Sequence, residues 1–77
     1  MSFKILDMVV LTRDISESGL VKGDLGAVTE VYAPDGLEVE FVTASGKTLA
    51  VITLKSSDVR AVEDNDLISV REIHAAA

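Results

Sequence analysis

Residues 21–41 constrain the fold more than any other stretch. They read Val21-Lys22-Gly23-Asp24-Leu25-Gly26, Ala27-Val28-Thr29-Glu30-Val31-Tyr32-Ala33, Pro34-Asp35-Gly36, then Leu37-Glu38-Val39-Glu40-Phe41. The last five alternate strictly, with Leu37, Val39 and Phe41 toward a core and Glu38 and Glu40 toward water. A period of two belongs to a strand and cannot sit on one face of a helix. Pro34 presets φ, and Gly36 is expected to take the left-handed position of a tight turn. Gly23, Asp24 and Gly26 are expected to form a structural turn in which a positive φ or a missing Cβ matters. The unit is therefore turn, strand, turn, strand.

The remaining chain supplies strands to pair with these two. Met8-Val9-Val10-Leu11-Thr12 is a continuous apolar run and reads as a buried strand. Residues 13–19 read as a polar loop, with Ile15 and Leu20 tucked beneath it as a satellite of the core. Val28 and Tyr32 fall on one face of the strand 27–33 and Val31 on the other, a fault that a bulge near Glu30 repairs. Residues 48–54 form the next strand, after a turn at Ala44-Ser45-Gly46-Lys47. Pairing about that turn sets Phe41 opposite Ala50 and Glu40 opposite Val51. Val39, Phe41, Ala50, Ile52 and Leu54 then share the core face. Glu38, Glu40, Val42, Leu49, Val51 and Thr53 share the other. Lys55-Ser56-Ser57-Asp58 suits a single helical turn capped by Ser56 or Ser57. Residues 59–62 read as a short strand, 63–66 as an acidic turn, 67–73 as a last strand, and His74-Ala75-Ala76-Ala77 as a frayed tail.

Short strands separated by turns in 77 residues predict one domain, all-β, built as a small antiparallel barrel or sandwich. A chain this short buries only about 60–65% of its unfolded surface. With no cysteine, disulfides cannot supplement the core. The core must be aliphatic, because Phe3, Tyr32 and Phe41 are the only aromatics.

Lys22-Gly23-Asp24-Leu25-Gly26, Pro34-Asp35-Gly36 and Val39-Glu40-Phe41 resemble the opening strands of SH3-like barrels. The same grammar appears in KOW modules of ribosomal and transcription proteins and in barrels like the nitrile hydratase β-subunit. Asp7-Met8-Val9-Val10-Leu11-Thr12, Glu40-Phe41-Val42 and Thr48-Leu49 look closer still to a small bacterial family of unknown function. That resemblance covers residues 3–62. It implies an SH3-like barrel of about five to six strands with one short helical turn. It transfers no catalytic residue, and fold alone does not license function.

Chemistry is sparse. With one histidine and no cysteine, a nucleophile–base pair has almost nothing to draw on. His74 has no nucleophile or orienting acid near it in sequence. Asp64-Asn65-Asp66 opens like a calcium loop, but Ser69 and Ala75 stand where the loop glycine and glutamate belong. Lys22-Gly23-Asp24-Leu25-Gly26 lacks the spacing of a phosphate cradle. No catalytic residue, metal site or cofactor is expected.

Thirteen acids against seven bases give a net charge of −6, which disfavours nucleic acid and anionic lipid and suits a basic protein partner. No apolar run spans a membrane, and the start lacks a signal-peptide pattern, so a cytoplasmic location is expected. Glu38, Glu40, Val42, Leu49, Val51 and Thr53 form the candidate interface. The expected function is a non-catalytic protein–protein module, self-associating or antitoxin- or immunity-like toward a basic partner. Two alternatives are an accessory domain of a larger enzyme and a KOW-type nucleic-acid module. The second needs a basic stripe and exposed aromatics, whereas the bases here are scattered.

Overall fold

The computed structural model describes residues 2–73; the expected tail, with His74, lies outside the described residues. Five strands form one antiparallel sheet: β1 (Met8–Leu11), β2 (Leu25–Tyr32), β3 (Gly36–Val42), β4 (Thr48–Lys55) and β5 (Val59–Ala61). Their order across the sheet is β4-β3-β2-β1-β5. Two 3-10 turns, Ser16–Ser18 and Ser56–Asp58, complete the regular structure.

The β3–β4 hairpin forms in the expected register. Phe41 lies opposite Ala50, Glu40 opposite Val51 and Val39 opposite Ile52. Val39 and Phe41 are buried, as their alternation requires. The register slips between Phe41 and Val42, so that Val42 lies opposite Thr48. Leu49 is left as the extra residue and packs against the core.

A second irregularity falls where the broken alternation of β2 demanded one. The register shifts between Val28 and Glu30. Beyond it, Val31 lies opposite Leu37 and Tyr32 opposite Gly36. The bulge thus returns Val31 to the face of Val28, and Tyr32 joins Glu30 and Glu38, contrary to the grouping expected without it. Gly36 does not adopt the left-handed conformation. It opens β3 beneath Tyr32, whose Cβ would lie 3.2 Å from an added methyl. The Ala33–Pro34 peptide bond is cis.

Strand β2 serves two neighbours. Its first residues pair with β1, Val9 opposite Gly26, and its later residues pair with β3. Gly26 is the point of closest approach: a Cβ there would lie 2.7 Å from Val39 Cγ1 and 2.8 Å from Phe41 Cε1. The glycine is needed for space, since its φ is not positive. Gly23, with φ of 97°, is the turn position that needs freedom from a side chain.

Two elements depart from the sequence reading. The sheet is not closed into a barrel: β4 and β5 are its two edges, joined by the 3-10 turn but not paired. In addition, residues 67–73 form no strand. The acidic turn explains the second departure. Arg60 Nη1 and Nη2 each donate to an Asp66 oxygen at 2.8 Å, and Asp66 Oδ2 accepts the Glu63 N–H. The chain is steered across the end of the sheet instead of back along a three-residue β5.

Aliphatic residues fill the core. Val9, Leu11, Ile15, Leu20, Val28, Leu37, Val39, Phe41, Leu54 and Val59 form one buried cluster. Ile15 and Leu20 belong to it directly, linked by an isolated bridge beneath the first 3-10 turn. The second turn is capped by Asp58, whose carboxylate accepts the Lys55 N–H, and not by either serine. Arg13 Nε donates to Asp58 at 2.8 Å and ties the loop after β1 to that turn.

Gly26→Val places two methyl groups into contacts already full at Cβ. Overpacking should cost about 3 kcal/mol, a large share of the stability of so small a domain. Urea unfolding measures it; an unchanged midpoint contradicts the packing described.

Candidate functional site

The outer face of β2, β3 and β4 carries the charge that alternation sends away from the core. Glu30 and Glu38 are cross-strand neighbours, Glu38 lies opposite Thr53, and Glu40 lies opposite Val51. Like charges directly opposed on a sheet destabilise it unless held apart. Two hydroxyls hold these. Tyr32 Oη donates to Glu38 at 2.9 Å, and Thr48 Oγ1 donates to Glu40 at 2.6 Å. Among the described residues, none of the three glutamates forms a salt bridge.

Within this acidic field stand two aliphatic side chains. Val42 is 55% exposed and Val51 50% exposed. Neither is covered by the residues that could have done so. Ile15 and Leu20 turn into the core, Met8 is itself exposed, and residues 67–73 pass by the Val42 end without covering it. Of the six expected interface residues, the fold brings Glu38, Glu40, Val42, Val51 and Thr53 to one face and draws Leu49 inward. Sequence reasoning missed Tyr32 and Thr48 as part of this face. The broken alternation of β2 was the available signal for Tyr32; no comparable signal marks Thr48.

The expected turn residues lie elsewhere and are structural. Pro34 and Gly36 shape the β2–β3 connection. Gly23 and Asp24 shape the connection into β2, where Asp24 Oδ2 accepts the Val21 N–H at 2.9 Å. Asp24 also receives Arg71, with Nε 2.8 Å from Oδ1 and Nη2 2.6 Å from Oδ2. Arg71 Nη2 reaches the Gly19 carbonyl as well. This pair and Arg60–Asp66 fasten the two ends of the last segment. Between them it passes over a cleft of about 350 Å³ floored by Val10, Val21 and Leu25.

These contacts set the titrations. Partial burial pushes the Asp24 carboxyl upward, but the Arg71 hydrogen bonds and the Val21 N–H outweigh it and leave it below the ordinary value. Asp66, hydrogen-bonded by Arg60 and by the Glu63 N–H, is lowered to about 2. Asp58 is lowered chiefly by Arg13. The Tyr32 phenol is raised, first by its hydrogen bond to Glu38. Among the described residues, no three acids or imidazoles are grouped as metal ligands, and no helix is long and apolar enough to cross a membrane.

A five-stranded antiparallel sheet with one face packed and one face acidic defines a small all-β domain. Residues 5–61 match the model of a family described as a domain of unknown function, DUF4926. The match covers well over half of the chain, which belongs to that family. No curated protein and no solved structure matches it.

Two titrations check the geometry. Tyr32 is the single tyrosine and tryptophan is absent, so ultraviolet absorbance follows one phenol. Its midpoint should lie above the ordinary 10, and Glu38→Gln should bring it down; equal midpoints in both proteins contradict the bond. Asp24, Asp58 and Asp66 have folded values below their unfolded ones. The stability they contribute is therefore present above about pH 4 and lost as pH falls through the folded values, to about 2 for Asp66. Carboxyl carbon shifts read by NMR should show Asp66 still charged at pH 3; an Asp66 midpoint near 4 contradicts its pairing with Arg60.

Proposed function

We propose that this domain is a non-catalytic protein–protein interaction module presenting the outer face of β3 and β4 to a basic partner. One observation carries the reading: Val42 and Val51 stand half exposed on neighbouring strands among Glu30, Glu38 and Glu40, none of which has a cationic partner among the described residues. Burying each valine contributes about 1.5–3 kcal/mol. The glutamates steer a cationic surface into place, so charge governs encounter and apolar burial governs lifetime. An antitoxin- or immunity-like pairing with a basic protein fits this chemistry, self-association would draw on the valine pair alone, and we place the domain in the cytoplasm.

The SH3-like reading of the fold draws support from the connectivity. A single 3-10 turn hands the chain from edge strand β4 to β5, which returns beside β1, as in a barrel left open at one seam. The nucleic-acid reading finds less support, because the outer face is acidic and Tyr32 is engaged by Glu38.

The test uses the purified wild type as bait in lysate of the native host, followed by identification of what it retains. A basic protein should be retained. Val51→Glu should weaken that complex by about tenfold or more. Glu38→Lys with Glu40→Lys should slow its association most strongly at low salt. Equal retention by all three baits removes this face as the binding surface.

A further inference from the structure

The guanidinium of Arg71 sits in a site built by a distant part of the chain. Nε lies 2.8 Å from Asp24 Oδ1, and Nη2 lies 2.6 Å from Asp24 Oδ2 and 3.1 Å from the Gly19 carbonyl. A guanidinium held on both oxygens of a carboxylate is recognised by its planar fork as well as its charge, which an ammonium is not. The site does not depend on its occupant. The Val21 N–H donates to Asp24 Oδ2 and the Asp24 N–H to the Val21 carbonyl, so the turn aims the carboxylate by itself. Gly19 closes the first 3-10 turn with its own N–H on the Ser16 carbonyl, which fixes where its carbonyl points. Among the described residues, no backbone N–H donates to that carbonyl. Asp24 and Gly19 lie within residues 5–61, which match the family model, and Arg71 lies beyond them.

Arg71 fills this site, but the segment that carries it fills little else. Among the described residues, no backbone group of residues 67–73 hydrogen-bonds to another backbone group. Leu67 is 90% exposed and Val70 97%. Two cavities adjoin the Arg71–Asp24 pair. One, of about 350 Å³, lies against Val10, Val21 and Leu25; the other, of about 260 Å³, lies against Leu20, Phe41 and Leu49. Their walls share Asp24, Leu25, Ser69 and Arg71, so the pair stands between them. Joined, they fall within the roughly 300–1,000 Å³ of ordinary ligand pockets, which combine apolar walls with a few placed polar groups. The in-chain occupant thus meets the polar half of the groove and leaves much of its apolar half open.

We infer that Asp24 and the Gly19 carbonyl form an arginine-recognition site, that Arg71 is its resident occupant, and that an arginine flanked by aliphatic residues on a basic partner takes its place. The partner's aliphatic side chains enter the two cavities that Leu67 and Val70 leave open. Arg71 is tethered and competes at high effective concentration, so its contact is autoinhibitory. Its ion pair is partly exposed and contributes little alone. A segment that adds apolar burial to the same guanidinium contacts therefore displaces it. The net charge of −6 favours the approach of such a partner. Asp24 and Gly19 are separate from the face of Glu38, Glu40 and Val51, so the site stands whether or not that face binds.

The test titrates the full chain with a synthetic peptide of residues 67–73, blocked at both ends, and follows backbone amides by NMR. Arg71→Ala empties the site; Arg71→Gln, which keeps a donor for Asp24, is the second variant. In both, the peptide should shift the Gly19, Val21 and Asp24 amides saturably. It should bind them at least about tenfold more tightly than it binds the wild type, whose own arginine competes. The Arg71→Gln form of the peptide should leave these amides in place. Absence of shifts in both variants overturns the inference. Equal shifts by the two peptides overturn recognition of the guanidinium, and equal affinity for wild type and variants overturns Arg71 as the occupant. Shifts confined to Glu38, Glu40 and Val51 assign the peptide to the outer face and overturn the site, so the two readings fail separately.

Discussion

Everything in this fold depends on how closely β2 can approach β3 at Gly26. The space a Cβ would fill at that position is already occupied by Val39 Cγ1 and Phe41 Cε1. That missing carbon lets β2 lie beside β1 at one end and beside β3 at the other, with Ala27 paired to both Met8 and Glu40. A dry aliphatic cluster then forms from both halves of the sheet, and no polar residue is buried in it among the described residues. Two bulges follow from the same demand. One turns Val31 back toward the core side of β2; the other draws Leu49 in to cover the cluster.

Alternation made much of this legible. Leu37-Glu38-Val39-Glu40-Phe41 has one strand reading, and the Ser45-Gly46 turn then leaves one register for β4. The fault in β2 pointed to its bulge. What alternation could not convey was long-range. Residues 67–73 have strand composition, but a strand needs an edge to pair with, and β5 offers three residues. The Arg71–Asp24 pair, which helps decide where that segment goes, joins residues whose proximity exists only after folding. Barrel closure failed for a similar reason, since it depends on two edges meeting and not on any local pattern.

The candidate face was legible in part. Glu38, Glu40, Val42, Val51 and Thr53 were placed together by parity alone, and parity was right wherever the ladder was regular. It failed at Leu49, the extra residue of one register shift, and at Tyr32, which lies beyond the other. The hydroxyl partners of Glu38 and Glu40 show how the sheet tolerates crowded carboxylates without a cation.

The pairing of β5 with β1 has a kinetic meaning. The β2–β3–β4 meander joins neighbours in sequence, whereas Val9 and Ala61 lie 52 positions apart along the chain. Closing so long a loop is slow, and three residues of ladder repay it modestly. The meander should therefore assemble early and hold its amide protons longest. The β1–β5 seam becomes the place where the native molecule opens first.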